Sequence, residues 1–181
     1  LGAYYVITLL YSFVLKRRIV IDICALAGLY TIRIVAGGVA TNIVLSVWLL
    51  AFSIFIFFSL AAVKRQAELV AGVATGEVTA HGRGYHVDDL PLVAMFATAS
   101  GYLSVLVLAL YVNTRSVLSL YSSPTVLLGI CLVLLYWVTR MVMVTHRGRM
   151  TDDPIVFAAK DRISQLCLLL IAGLVVAGTI L

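Results

Sequence analysis

Ile43-Val44-Leu45-Ser46-Val47-Trp48-Leu49-Leu50-Ala51-Phe52-Ser53-Ile54-Phe55-Ile56-Phe57-Phe58-Ser59-Leu60-Ala61-Ala62-Val63 is a run without one ionisable side chain, and it ends on Lys64-Arg65-Gln66-Ala67-Glu68. A helix needs about 20 predominantly apolar residues to cross the hydrocarbon core. Lipid offers no partner to a free backbone amide, so only helices and closed barrels span it. The apolar residues here are continuous and do not alternate, which excludes a barrel strand. The run therefore reads as a spanning helix with a charged end.

The same pattern recurs on both sides of it. Spans are predicted over residues 1–15, 19–40, 43–63, 91–112, 124–144 and 163–181, the first being the shortest. The composition agrees, with 63% hydrophobic residues, 12% charged residues and a mean hydropathy of +1.13. Soluble domains carry about 25% charged residues, so a soluble fold is excluded. The predicted fold class is all-α, a polytopic transmembrane helical bundle forming a single transmembrane domain over 1–181. The chain opens at Leu1 inside an apolar run, with no initiator Met and no signal-peptide charge pattern, and reads as a piece of a longer protein.

The formal net charge is +5. The basic residues flank apolar spans, so topology and anionic lipid explain them better than nucleic acid does. Lys16, Arg17, Arg18, Lys64, Arg65, Arg83, Arg147, Arg149, Lys160 and Arg162 fall on three connections that share one side. Across the membrane only Arg115 is charged, and the connection at Thr41 and Asn42 carries no charge. The positive-inside rule makes the rich side cytoplasmic. The expected location is a bacterial inner membrane, crossed several times, with the active side cytoplasmic. Asp22, Glu68, Glu77, Asp88, Asp89, Asp152, Asp153 and Asp161 lie at or near that side too. Mixed charge there fits either a polar site or ordinary solvated loops. Cys24, Cys131 and Cys167 are isolated in apolar stretches and read as small buried hydrophobes.

Arg33 is the sharpest single residue, set within Leu29-Tyr30-Thr31-Ile32-Arg33-Ile34-Val35-Ala36-Gly37-Gly38. Placing Arg near a helix centre costs about 2.5–3.5 kcal/mol on insertion scales. It should face a cavity or a partner, or else snorkel to the outer interface. Asp22 is three turns away on the same face, roughly 16 Å distant, too far to pair with it. Gly37 and Gly38 could admit a close helical neighbour. Lys64 and Glu68 become i,i+4 neighbours if the helix continues past Val63. That cluster suits either phosphate binding or a basic anchor with a surface ion pair. The segment from Gly72 to Leu92 reads as a loop, in which His81 and His86 lack a third ligand at helical spacing. Asp88-Asp89-Leu90-Pro91 reads as a helix start. Arg140, His146, Arg147, Arg149, Asp161 and Arg162 form a last cluster, open to phosphate contact or to anchoring and capping. No Walker, Rossmann, zincin or nucleophile-elbow motif is present.

These clusters, in this order, resemble the UbiA-type intramembrane prenyltransferase superfamily. The resemblance implies nine helices around a central cavity, a phosphorylated isoprenoid, Mg²⁺ and two aspartate-rich motifs. The six spans here are similar to the last six of the nine. Tyr11-Ser12-Phe13-Val14-Leu15-Lys16-Arg17 resembles the end of the fourth helix, and Arg33 to Gly38 the fifth. Lys64-Arg65-Gln66-Ala67-Glu68-Leu69 stands where the second aspartate-rich motif is expected and has no DxxxD pattern. That departure, with Arg147-Gly148, Asp152-Asp153-Pro154-Ile155 and Asp161-Arg162, resembles the decaprenyl-phosphate phosphoribosyltransferase branch. The branch moves phosphoribose from phosphoribosyl pyrophosphate to a polyprenyl phosphate during cell-wall biosynthesis, releasing pyrophosphate.

The resemblance implies Glu68 and Lys64 as catalytic residues. It implies Lys64, Arg65, Lys16, Arg17, Arg33, Arg147 and Arg162 as phosphate contacts, and Asp161 as an orienting group. The main Mg²⁺ ligands are expected upstream of Leu1, so this chain alone is expected to be inactive. A polyprenyl phosphate, phosphoribosyl pyrophosphate and the membrane are the expected partners, nucleic acid is not, and a homo-oligomer is compatible. Two other readings stand beside this one. One is a UbiA-type prenyltransferase joining an isoprenyl diphosphate to an aromatic or lipid acceptor. The other is a small-solute transporter, against which the lack of a repeat between the two halves counts.

Overall fold

The computed structural model describes residues 2–76, 84–150 and 153–180, and among these it contains no strand. Helix α1 (Gly2–Phe13) leads through a 3₁₀ turn (Leu15–Arg17) into α2 (Ile21–Ala40). Then come α3 (Val47–Thr75) and, after a 3₁₀ turn (Val87–Asp89), α4 (Leu90–Val112). The short α5 (Arg115–Leu118) and a 3₁₀ turn (Pro124–Leu127) precede α6 (Leu128–His146). The short α7 (Pro154–Lys160) and α8 (Arg162–Ile180) complete the chain's helices.

Among the described residues, five stretches are long and apolar enough to cross a membrane: Ile21–Ala40, Val47–Thr75, Val87–Val112, Pro124–His146 and Arg162–Ile180. The chain is an integral, multi-pass, all-α membrane protein. The expected first and shortest span, residues 1–15, holds α1. The 12 residues of α1 rise about 18 Å, short of a hydrocarbon core about 30 Å thick. Outward-facing residues such as Val39, Leu132, Leu168, Leu169 and Ile180 are apolar and exposed, as lipid contact requires.

Helix α3 is the axis of the fold and packs against α2, α4, α6 and α7. In lipid the hydrophobic effect does not drive helices together, so close packing and interhelical hydrogen bonds must. Small residues supply both. Ser59 Oγ on α3 donates to the Ala97 carbonyl on α4 at 2.6 Å. A Cβ on Gly101 would fall 2.3 Å from Val138 Cγ1 and 2.9 Å from Ser59 Oγ, so α3, α4 and α6 converge at a point only glycine fits. The expected close approach at Gly37 and Gly38 is a different contact. Gly37 faces open space, while Gly38 meets Leu45 in the connection to α3 and not a neighbouring helix.

The end of α3 departs most usefully from the linear reading. Its 29 residues rise about 43 Å, so twelve residues beyond Val63 project past the apolar stretch. The polar segment expected after Val63 is therefore helical as far as Thr75, where Gly76 at φ 76° ends the helix. That extension carries Lys64, Arg65 and Glu68 on a rigid element. The main buried core lies beside it and includes Ile23, Val63, Leu69, Tyr85, Val93, Ala97, Met141 and Met150.

Candidate functional site

Three separate stretches meet at the projecting end of α3. Arg65 is 1% exposed and Asp22, from the first turn of α2, is fully buried. Arg65 Nε lies 2.6 Å from Asp22 Oδ2. Asp22 Oδ1 accepts a 2.6 Å hydrogen bond from the Tyr85 hydroxyl. That hydroxyl in turn accepts from the Val20 N–H at 2.8 Å. The other side of the Arg65 guanidinium pairs through Nη1 with Glu68 Oε2, one turn further along α3. A continuous polar chain thus runs from Val20 through Tyr85, Asp22 and Arg65 to Glu68.

Local sequence explains the seating of each member. Val20 sits at φ 65°, a left-handed conformation uncommon for a β-branched residue, and turns the chain into α2 just before Asp22. Gly84 has room only for a hydrogen, because a Cβ there would lie 2.7 Å from the Arg17 carbonyl oxygen. This close approach brings Tyr85 onto Asp22. His86 and Asp89 form a reciprocal capping box around the following turn, and Pro91 opens α4 as its sequence predicts. Burial pushes the Tyr85 hydroxyl well above its ordinary pKa, and the hydrogen bond to the Asp22 carboxylate adds to the rise. Tyr85 is therefore a neutral donor at physiological pH.

Beside this buried chain opens a cleft of about 400 Å³, lined by Lys64, Glu68, Gly148 and Asp153 with apolar walls from Ala67, Val70, Ala71, Ala74 and Met150. Lys64 Nζ lies 2.6 Å from Asp153 Oδ2. The other oxygen of Asp153 accepts from the Ile155 N–H and caps α7, with Pro154 in its first turn. Gly148, at φ 67°, closes α6 in a Schellman motif: its N–H donates to the Thr145 carbonyl, and the Arg149 N–H to the Val144 carbonyl. The chain reversal there leaves space for the cleft.

The structure brings together Lys64, Arg65 and Glu68 from the sequence-predicted set. Lys64 and Glu68 share one face of α3 and both line the cleft. Arg65 is sealed behind it and reaches the cleft only through Glu68. The positive charge of this cluster is offset: Lys64 and Arg65 stand against three carboxylates, Asp22, Glu68 and Asp153. Additional positive charge at this end comes from exposed Arg147 beside Gly148, and from Arg149. Lys16 and Arg17 occupy the turn before α2, half-buried and exposed respectively. Arg33 is exposed, with its Cζ 4.9 Å from the Tyr30 ring centroid, and that ring stacks on Phe57. About 16 Å of helix separates Arg33 from Asp22. Glu77, His81, Arg83 and Asp152 lie outside the described residues.

A second polar cluster joins α6 to α8. Arg140 Nη1 and Nη2 pair with both oxygens of Asp161 at 2.7 and 3.0 Å. Asp161 Oδ2 also accepts from the N–H and the hydroxyl of Ser164, each at 2.8 Å, capping α8. Trp137 Nε1 donates to Ser164 Oγ at 3.0 Å. Burial raises the Asp161 pKa, but the bonds from Arg140 and Ser164 outweigh it and hold the carboxyl below its ordinary value. Arg162 is exposed at the first position of α8. This cluster looks onto an apolar groove that includes Leu134, Trp137, Leu168 and Ile171.

Sequence reasoning missed Tyr85 altogether. It placed Asp22 too far from Arg33 to pair with it, and Asp22 meets Arg65 and Tyr85 instead.

Known proteins resemble the chain in two ways. It is 37% identical over 175 residues to the nodulation protein NoeC of Azorhizobium caulinodans, covering 96% of this chain and 57% of that protein. It is 37% identical over 173 residues to the uncharacterized protein y4nM of Sinorhizobium fredii, covering 95% of this chain and 34% of that one. The similarity to NoeC runs along nearly the whole length of this chain. It spans between a third and three-fifths of these two relatives. Over 73 residues, 40% of the chain, it is 44% identical to the decaprenyl-phosphate phosphoribosyltransferase of Mycobacterium tuberculosis, 24% of which is matched. No family model matches.

Proposed function

We propose that the chain forms part of a UbiA-type intramembrane transferase that moves phosphoribose from phosphoribosyl pyrophosphate to a polyprenyl phosphate. The observation that carries this reading is the cleft at the end of α3. It places Lys64, Glu68 and Asp153 on rigid supports where the helix leaves its apolar stretch. The local likeness to decaprenyl-phosphate phosphoribosyltransferases supports the same chemistry.

The geometry suits the two substrates. A polyprenyl tail needs lipid-facing helices, and its phosphate must sit near the aqueous face. The sugar donor is water-soluble and anionic and meets the same face from outside the bilayer. In the reaction an oxygen of the lipid phosphate bonds to the anomeric carbon as that carbon's bond to pyrophosphate breaks. Pyrophosphate leaves with the electron pair. Lys64, released from Asp153 or shared with it, would neutralise a phosphate oxygen. Glu68, paired with Arg65, would hold the substrate in register beside Lys64. Such preorganised charge acts on the charge that develops in the transition state. The described residues hold no group of three His, Cys, Asp or Glu that fits a metal ion. Both cleft carboxylates already face cations, so these residues do not by themselves fit the Mg²⁺ that the resemblance implies.

The test uses the full-length protein in membranes, supplied with a polyprenyl phosphate and phosphoribosyl pyrophosphate, with and without EDTA. Mass spectrometry of the lipid fraction is expected to find a phosphoribosylated polyprenyl lipid. No such product, together with prenylation of an aromatic acceptor from an isoprenyl diphosphate, would move the function to ordinary prenyl transfer. The EDTA arm measures the metal requirement.

A further inference from the structure

We infer that Asp22 and Tyr85 are positioning residues, which fix Arg65 and through it set the Glu68 carboxylate at the cleft. The inference rests on the reading of the cleft given above. Arg65 cannot meet a ligand itself, since it is 1% exposed, whereas Glu68 lines the cleft. The guanidinium pairs with Asp22 at Nε and is directed at Glu68 through Nη1, which links the interior to Glu68. Asp22 is itself oriented by the Tyr85 hydroxyl, and that hydroxyl is fixed by the Val20 N–H.

A pair that served stability alone is poorly explained by this arrangement. Removing two charges from water is costly, and well-packed apolar residues often serve a fold as well or better. Arg65 Nε and Nη2 and Gln66 Oε1 are buried without a hydrogen-bond partner among the described residues, Nε meeting Asp22 as an ion pair. Buried groups left this way call for an explanation. Here the guanidinium is oriented to serve Glu68 through Nη1, at the expense of hydrogen bonds from Nε and Nη2. The left-handed Val20 points the same way, since backbone strain of this kind persists only where surroundings hold it. Outer-sphere partners of this type at metal sites typically change function by about 10–100-fold when removed.

The experiment is a double-mutant cycle in the full-length protein, read as kcat and KM for the phosphorylated donor. The variants are Asp22→Asn, Tyr85→Phe, Glu68→Asp and the two doubles that combine Glu68→Asp with Asp22→Asn or with Tyr85→Phe. Glu68→Asp keeps the charge but withdraws the carboxylate from Arg65. Asp22→Asn is expected to lower kcat roughly tenfold, with KM changed by less than about threefold. Each double is expected to lose no more than the worse of its singles, because both changes break one chain. Losses that multiply would overturn the positioning role and leave Asp22 and Tyr85 as supports of the fold. If Asp22→Asn fails to accumulate in membranes, Tyr85→Phe, which keeps the ring, carries the cycle alone. Wild-type protein that uses an isoprenyl diphosphate overturns the phosphoribosyl reading, and the same cycle then decides the positioning role on that reaction. Wild-type protein active on neither donor overturns both.

Discussion

Arg65 Nε on α3 lies 2.6 Å from Asp22 Oδ2 on α2, with both side chains out of contact with solvent. The pair ties the two helices at the level where the apolar stretch of α3 ends. Breaking one member leaves the other as an uncompensated buried charge, which costs about 3–5 kcal/mol. Arg65→Ala and Asp22→Ala are each expected to lose about that much in reversible unfolding of the purified protein. The double replacement Asp22→Leu with Arg65→Met is expected to recover most of it. A double variant as unstable as the singles would mean that the pair contributes more than charge compensation.

Tyr85 gives the alkaline limb of stability. Its folded pKa is raised above the unfolded value of about 10. A raised folded pKa means that the contribution is fully present below about pH 10 and is lost as pH rises through the folded value. Thermal midpoints of the wild type are therefore expected to fall above about pH 10. Tyr85→Phe should be less stable at neutral pH and show a flatter alkaline limb, measured by scanning fluorimetry across pH 8–11.

Asp161 gives the acid limb with the opposite sign. Its folded pKa is depressed by Arg140 and Ser164 despite burial. Its contribution is present above the unfolded carboxylate value of about 4 and is lost as pH falls toward the folded value. Asp161→Asn should remove part of the loss of midpoint between about pH 4 and 2. An unchanged acid limb in that variant would assign the sensitivity to other carboxylates.

Gly101 and Gly28 separate steric from conformational cost. A Cβ at Gly101 meets Val138 and Ser59, while one at Gly28 meets nothing within 4 Å. Gly101→Ala is expected to destabilise by about 1–3 kcal/mol through overpacking of α3, α4 and α6. Gly28→Ala, within α2, is expected to stabilise by about 0.5–1 kcal/mol. Paired unfolding measurements on the two variants check the contrast.

Lys64→Ala and Glu68→Gln test the cleft itself. Each is expected to reduce turnover of the full-length protein by on the order of 10²-fold or more while membrane insertion is kept. Retained activity in both would return Lys64 to an interfacial anchor paired with Asp153.

The sequence by itself determined the membrane and the helices. An apolar run such as 43–63 can satisfy its backbone in lipid in only one way, so local composition is enough. The helix start at Asp88-Asp89-Leu90-Pro91 was legible for the same reason, because it acts within a few residues of itself. The tertiary structure alone decided who pairs with whom. Lys64 and Glu68 are spaced to face each other, yet Lys64 pairs with Asp153, 89 residues on, and Glu68 pairs with Arg65. Asp22 meets Arg65 and Tyr85, which reach it from other parts of the chain. Electrostatic pairing in a low-dielectric interior depends on distance in space, and separation along the chain carries no record of it.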